Sequence, residues 1–412
     1  MNHTETLPLT ARFNRLRNIS LALLLLLTGA LYLIQESGSH QALLLIIGAL
    51  LGLSLFHASF GFTTAWRSLI TNRRGRGIRA QMIMLSVAVC LFFPALASGT
   101  LMGNDIAGYT RPLGWSVVFG AFIFGIGMQL GNGCASGNLY HVGGGQLRAI
   151  PSMIGFMAGG LWATADYEWW TTLPQLAPVA MIETLGSSLA IVINLACFAA
   201  IAGLSLWLEK RRHGSVEKDL VQPFSLSRLL QGPWPYIWGG IALAGLNFIV
   251  LAETGRPWSV AVAYPLWGAK AYLWLEQSFS LGLEFDLDFW AYWLQPGRET
   301  ALSEPLLNDA VSVMNIGIIL GAFLAAALAG KFSWQWKMPL LHWLAAALGG
   351  VMLGYGATIS FGCNIGAYFG GIVSGSLHGW LWLIAAFAGT VLGTRIRPLF
   401  RLPNEKSAAG QC

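Results

Sequence analysis

Gly131-Asn-Gly-Cys-Ala-Ser-Gly137 decides how this chain is read, because it returns as Phe361-Gly-Cys-Asn-Ile-Gly366. Sliding the chain until Cys134 meets Cys363 also lays Gly120, Gly125, Gly127, Gly133 and Gly137 on Gly349, Gly354, Gly356, Gly362 and Gly366. Glycine-rich helices drifting into register rarely bring a cysteine with them. The coincidence predicts an internal repeat of the kind common in transporters. Each copy is an apolar helix, a glycine-rich break holding one cysteine, and a further apolar segment.

The composition sets the class around this repeat. Of 412 residues, 55% are hydrophobic and 10% charged, against roughly 25% charged in soluble domains. Apolar runs of about 17–25 residues recur from end to end, the length that crosses a bilayer. The expected fold is all-α: a polytopic helical membrane protein, inverted-topology repeats with short re-entrant half-helices. Met1–Asn18 is polar, and the apolar run after it lacks a small-residue cleavage site, so that run is expected to stay as a span. The net charge of +6 does not imply nucleic acid, since Arg and Lys gather in short loops where they report orientation. Five cysteines (Cys90, Cys134, Cys197, Cys363, Cys412) form neither a CxxC pair nor a zinc spacing.

Arg12, Arg15 and Arg17 precede the first span, and Arg73, Arg74, Arg76 and Arg79 follow the second. Lys210-Arg-Arg212, Lys331–Lys337 and Arg395, Arg397 and Arg401 fall on the same side in a count of about ten spans. The acidic stretches Asp166–Trp170 and Glu284–Glu304 fall opposite. Both termini are thereby expected in the cytoplasm. Gly214–Pro235 is a polar linker, dividing the chain into an N-terminal membrane half (1–213) and a C-terminal half (236–412), each with one Gly-Cys motif. Span four approaches Cys134 from one side and span nine approaches Cys363 from the other. The copies are then inverted, related by a pseudo-two-fold axis in the membrane plane. Ser59–Leu69 and Pro257–Lys270 read as a second pair of half-helices, so that four short elements converge near the midplane.

Unwound backbone at membrane depth must be buried in protein or line a polar path. Half-helix N-termini offer unpaired N–H groups and partial positive charge, which favours an anion. The polar groups expected there are Cys134, Ser136, Asn138, Cys363, Asn364, Ser59, Thr63 and Thr64, with no Asp or Glu of the sort a cation pathway carries. Gly61, Gly133, Gly137, Gly362 and Gly366 would let backbone approach the solute. A thiol is a soft, weak donor, so two of them fit a sulfur-bearing small anion better than a hard oxyanion. Cys90 and Cys197 read as apolar fillers. His141 and His378 follow the motifs and would cap helices; no spacing supports a metal, and no cofactor is expected. Arg67 and Lys270 read as snorkelling residues.

At these motifs the chain resembles the YeeE/YedE family of bacterial inner-membrane proteins, which includes thiosulfate uptake transporters. The stretches that carry the resemblance are Gly133-Cys-Ala-Ser-Gly137, Gly362-Cys-Asn-Ile-Gly-Ala-Tyr-Phe-Gly-Gly371 with Ser376-Leu-His-Gly-Trp380, and Ser59-Phe-Gly-Phe-Thr-Thr-Ala-Trp-Arg67. The resemblance implies an hourglass of inverted repeats in the inner membrane. It also implies thiosulfate handed between the thiols of Cys134 and Cys363 by transient S–H hydrogen bonds, and a small cytoplasmic sulfur-carrier protein as partner. One position departs: where the family commonly has Cys between two Phe, this chain has Phe60-Gly61-Phe62. The substrate is therefore thiosulfate or a related sulfur- or selenium-containing solute. Two alternatives stay open on the residues alone: a membrane-embedded thiol enzyme forming a persulfide, and a transporter or channel for an unrelated solute.

Overall fold

The computed structural model describes residues 9–131, 133–217, 225–280, 282, 285–334 and 338–404. Glu284 and Cys412, together with part of the 214–235 linker and of Lys331–Lys337, lie outside them. The chain builds α1 (Leu9–Glu36), α2 (Ser39–Ala58), α3 (Phe62–Asn72), α4 (Arg76–Ser98), α5 (Trp115–Leu130), α6 (Ala135–Gly143) and α7 (Ala149–Ala165). After these come α8 (Ser187–His213), α9 (Tyr236–Thr254), α10 (Ala263–Phe279), α11 (Ala310–Leu328) and α12 (Leu340–Ile359). Asn364–Phe369 is then wound as a π-helix and passes into Gly370–Val373, before α13 (Leu377–Ile396). Among the described residues, nine helices are long and apolar enough to cross a membrane, and α7 is a shorter apolar helix. The chain is a multi-pass helical membrane protein.

In a bilayer, apolar helices gain little by touching one another, so close association depends on small residues that let backbones meet. That is how the helices cross here. A Cβ on Gly48 or Gly52 of α2 would strike the carbonyls of Met314 and Ile318 on α11, and one on Gly317 or Gly321 would strike those of Leu45 and Ala49. Gly155 and Gly159 of α7 meet Ala347 and Val351 of α12 in the same way, and Gly125 and Gly389 join α5 to α13.

These crossings obey an internal symmetry. Gly120 meets Gly356 and Gly127 meets Gly349, so α5 and α12 run antiparallel. Each contact is the other with the repeats exchanged, since Gly120 corresponds to Gly349 and Gly127 to Gly356. The neighbours repeat the exchange: Gly125 lies on Ala386 and Thr390, while Gly354 lies on Phe156 and Gly160. Gly389 faces Phe122, and Gly159 faces Val351. Contacts of this reciprocal kind arise when two copies are related by a two-fold operation. The two glycine–cysteine stretches therefore run in opposite directions.

Loop contacts sort the helix ends into two faces. On one, Arg15 donates to the Leu328 carbonyl at 2.6 Å, His213 to that of Asn72 at 2.7 Å, and Arg67 to Gln129 Oε1 at 3.2 Å. On the other, Ser37 bonds Asn308 at 2.8 Å, Asn104 bonds the Ala252 carbonyl, and Tyr355 donates to Asp166 at 2.8 Å. The first face holds the basic loops around residues 73–79 and 210–212. Glu209 is fully buried there between Arg74 (3.2 Å) and Arg79 (2.7 Å).

Two boundaries differ from expectation. The first short helix starts at Phe62 rather than Ser59, because Ser59 takes a left-handed conformation (φ 47°) that ends α2. The segment expected as a half-helix over Pro257–Lys270 is irregular from Pro257 to Val262, and its helix runs from Ala263 to Phe279. Pro265 does not end that helix. It falls in the first turn, where the missing N–H has no intrahelical partner to lose.

Candidate functional site

Both cysteines sit at the same place in their repeats, immediately before a short helix and in extended backbone. Cys134 (φ −86°, ψ −170°) precedes α6, and Cys363 (φ −106°, ψ −166°) precedes the π-helix. Each thiol thus stands at a helix N-terminus with unpaired N–H groups around it. The Cys134 sulfur lies against the backbone of Ser136 and Gly137, and its Sγ is 3.5 Å from Ser136 Oγ. The Cys363 sulfur lies against the backbone of Ile365 and Gly366, and against Ala261 from the irregular stretch before α10. Both are buried, while Cys90 and Cys197 are exposed on the helix surface.

The glycines around them are fixed by contact. Gly362 holds φ 146°, which an L side chain rarely adopts. A Cβ on Gly133 would stand 3.0 Å from Asn138 Oδ1, and one on Gly137 would stand 3.5 Å from Cys134 Sγ. Gly366 closes on the Ser259 hydroxyl, 3.1 Å from where a Cβ would be. Asn138 donates to Ser152 Oγ at 2.9 Å, and its Oδ1 has no partner among the described residues. Asn364 is fully buried, and neither amide atom has a hydrogen bond among the described residues. Such a group is costly to bury, and it stands beside Cys363.

Gly61 ends the link into α3 at φ −104°, and its neighbours are Thr64 and the Tyr140 hydroxyl of α6. Phe62 meets Tyr368 edge-on at 6.0 Å, so the first short helix reaches the second motif. Ser59 lies at the turn between α2 and α3, and Thr63 is buried with a hydroxyl that has no partner among the described residues. The structure thus brings all four short segments together, as the motifs predict.

His378 Nδ1 pairs with Ser376 Oγ at 2.7 Å and its ring meets Tyr109. Arg67 is buried rather than snorkelling, held by Gln129. Lys270 reaches the carbonyls of Leu302 and Glu304.

Sequence reading passed over Tyr264. Its hydroxyl donates to the Ala135 carbonyl at 3.0 Å, its ring stacks on Phe156 at 4.0 Å, and it lies within electrostatic reach of both thiols. A buried tyrosine in an apolar stretch needs a partner for its hydroxyl. That need was the available signal. Hollows approach the site from both faces. One of about 110 Å³ is lined by Thr64, Arg67, Ser68, Thr71, Arg76 and Tyr236. On the other face a cavity of about 10 Å³, bounded by Tyr109, Ala261, Tyr292, Arg298, Phe361 and Gly362, ends beside Cys363.

Inverted helix pairs broken at the centre, with buried polar groups beside the breaks, are the architecture of a membrane transporter. The chain belongs to the Sulphur transport family, which it matches over residues 57–392. It is similar to the thiosulfate transporter TsuA of Spirochaeta thermophila, 25% identical over 345 residues that cover 82% of this chain and 93% of that protein. It is also similar to the thiosulfate transporter TsuA of Escherichia coli, 28% identical over 84% of this chain and 91% of the relative. The probable transporter YedE of Escherichia coli is 30% identical over 41% of this chain and 40% of its own length. Family and relatives bear the names of transporters rather than enzymes.

Proposed function

We propose that this protein takes up thiosulfate or a closely related small sulfur anion, passing it between the thiols of Cys134 and Cys363. The observation that carries this reading is the equivalent placement of the two cysteines. Each is buried at the N-terminus of a short helix, with no buried carboxylate beside it among the described residues. N–H groups and partial positive charge favour an anion there. A weak thiol donor holds a sulfur anion lightly enough to release it, as conduction requires. Gly61, Gly133, Ser136, Gly137, Asn138, Gly362, Asn364 and Gly366 complete the path, with the carboxamide of Asn364 supplying polar atoms that are unpaired among the described residues.

In this reading the two membrane halves, 1–213 and 236–412, stay packed along their glycine seams, and the anion passes between the short helices around the paired cysteines. The basic face lies in the cytoplasm with both termini, in a bacterial inner membrane, following the bias of Arg and Lys. The anion leaves through the hollow at Thr64 and Arg67, toward a small cytoplasmic sulfur-carrier protein. The test is uptake of labelled thiosulfate into proteoliposomes holding the purified chain, with sulfate as competitor. Accumulation that thiosulfate drives and sulfate does not compete is the expected result. Equal uptake of both, or of neither, overturns the assignment.

A further inference from the structure

The face opposite the basic loops carries few cations. Among the described residues they are Arg111, Arg256, Lys270 and Arg298, on a surface that also bears Asp105, Asp166, Glu168, Glu253 and Glu299. An acidic surface repels an approaching anion. Acids and guanidinium groups on one surface would ordinarily pair. Among the described residues Arg111, Arg256 and Arg298 form no ion pair, and two of the three lie over aromatic rings instead.

Arg298 lies over the Tyr292 ring at 3.6 Å and faces Tyr167 at 6.0 Å. Arg111 lies over the Tyr109 ring at 4.5 Å and faces Phe361 at 5.7 Å. Neither makes an ion pair among the described residues, and each leaves a buried nitrogen without a partner, Nη1 of Arg298 and Nε of Arg111. Both act on one group: burial raises the pKa of Tyr292, while Arg298 and Arg111 each pull it back. Arg298 and the two rings that Arg111 faces, Tyr109 and Phe361, border the same cavity. Tyr109, Tyr292, Arg298 and Phe361 wall the small cavity that ends at Gly362, next to Cys363.

We infer that Arg111 and Arg298 form a recruitment site for a divalent oxyanion at the mouth above Cys363. The inference rests on the transport reading for its biological direction, but not for the binding itself. A guanidinium is a planar fork that matches an oxyanion, and stacking on a ring fixes its plane without consuming its in-plane donors. Two such forks attract a dianion against the surrounding carboxylates, and their aromatic partners cover the entrance. A cavity of about 10 Å³ has room for no more than one water. The anion therefore binds outside the rings and proceeds when Tyr109, Tyr292 and Phe361 part.

The test uses the full-length chain and the variants Arg298→Gln, Arg298→Lys, Arg111→Gln and the double glutamine variant. Binding of thiosulfate, sulfate and chloride is read from intrinsic tryptophan fluorescence in detergent, and uptake from proteoliposomes. Thermal unfolding selects variants that keep the wild-type fold. Each single glutamine variant is expected to weaken dianion affinity about tenfold, the scale of one charged hydrogen bond. It should raise the KM for uptake with little change in maximal rate. Arg298→Lys keeps the charge, loses the fork, and should fall between. Folded double variants that bind dianions as tightly as wild type overturn the inference, as does a wild type that binds none. A wild type with arginine-dependent dianion binding but no thiosulfate uptake supports the recruitment site and overturns the transport reading alone.

Discussion

Gly127 of α5 and Gly349 of α12 press against each other's backbone. A Cβ on Gly127 would stand 2.8 Å from the Gly349 carbonyl oxygen, and a Cβ on Gly349 would stand 2.9 Å from that of Gly127. Gly120 and Gly356 stand in the same relation, at 2.7 and 2.5 Å. The inverted repeat therefore closes on itself along this seam.

Substitution at the seam is expected to damage the fold. Gly127→Val and Gly349→Val should each cost about 1–3 kcal/mol, because backbone on both sides cannot yield to an added side chain. Gly245→Ala in α9 is the comparison, since nothing lies within 4 Å of the site of its Cβ. It should be neutral or slightly stabilising. Thermal unfolding in detergent measures both, and an unshifted melting point for the seam variants would refute the packing argument.

The paired cysteines should govern uptake more than stability. Removing one buried sulfur costs about 1 kcal/mol of packing, so Cys134→Ala and Cys363→Ala should reach the membrane. Each should slow thiosulfate uptake roughly tenfold or more, the scale of losing a hydrogen bond at the narrowest point. Serine at either position should also impair uptake, because a hydroxyl is a harder donor. Cys90→Ala and Cys197→Ala, whose side chains lie on the helix surface, should transport normally. Normal uptake by the Cys134→Ala, Cys363→Ala double variant would end the thiol reading.

Gly61→Cys should be tolerated. The backbone at φ −104° suits any residue, and the nearest obstacle is the Thr64 hydroxyl at 2.6 Å, the end of a side chain that can turn away. The new thiol would stand near the Tyr140 hydroxyl, on the Cys134 side of the path. Thiosulfate uptake should rise relative to uptake of other sulfur compounds. A competition assay checks the ratio, and an unchanged profile would show that this position does not select the substrate.

Sidedness can be read directly. In a Cys90→Ala, Cys197→Ala background, Ser37→Cys and Asn72→Cys should react with an impermeant maleimide from opposite faces. Ser37 belongs with Asn308, and Asn72 with His213. Labelling of both from one face would break the pseudo-two-fold arrangement.

The hydropathy pattern alone determined where the membrane helices lie, because a bilayer admits only long apolar helices whose backbone bonds internally. The repeated Gly-Cys stretch marked the repeat, and the side on which the basic loops fall set the inversion, since spans four and nine approach Cys134 and Cys363 from opposite sides. The Gly-Cys stretch also marked the breaks, which glycine permits. The start of α10 at Ala263 was hidden, because Pro257 and Pro265 look alike in sequence while only the first lies outside the helix. What only the tertiary structure decided are the meetings of distant segments. Tyr264 reaches the Ala135 carbonyl, Phe62 reaches Tyr368, and Arg111 and Arg298 gather on rings from separate loops. Local pattern carries the period of a helix and the position of a break. It does not carry the crossing of one helix over another, and that crossing sets which polar groups face the centre.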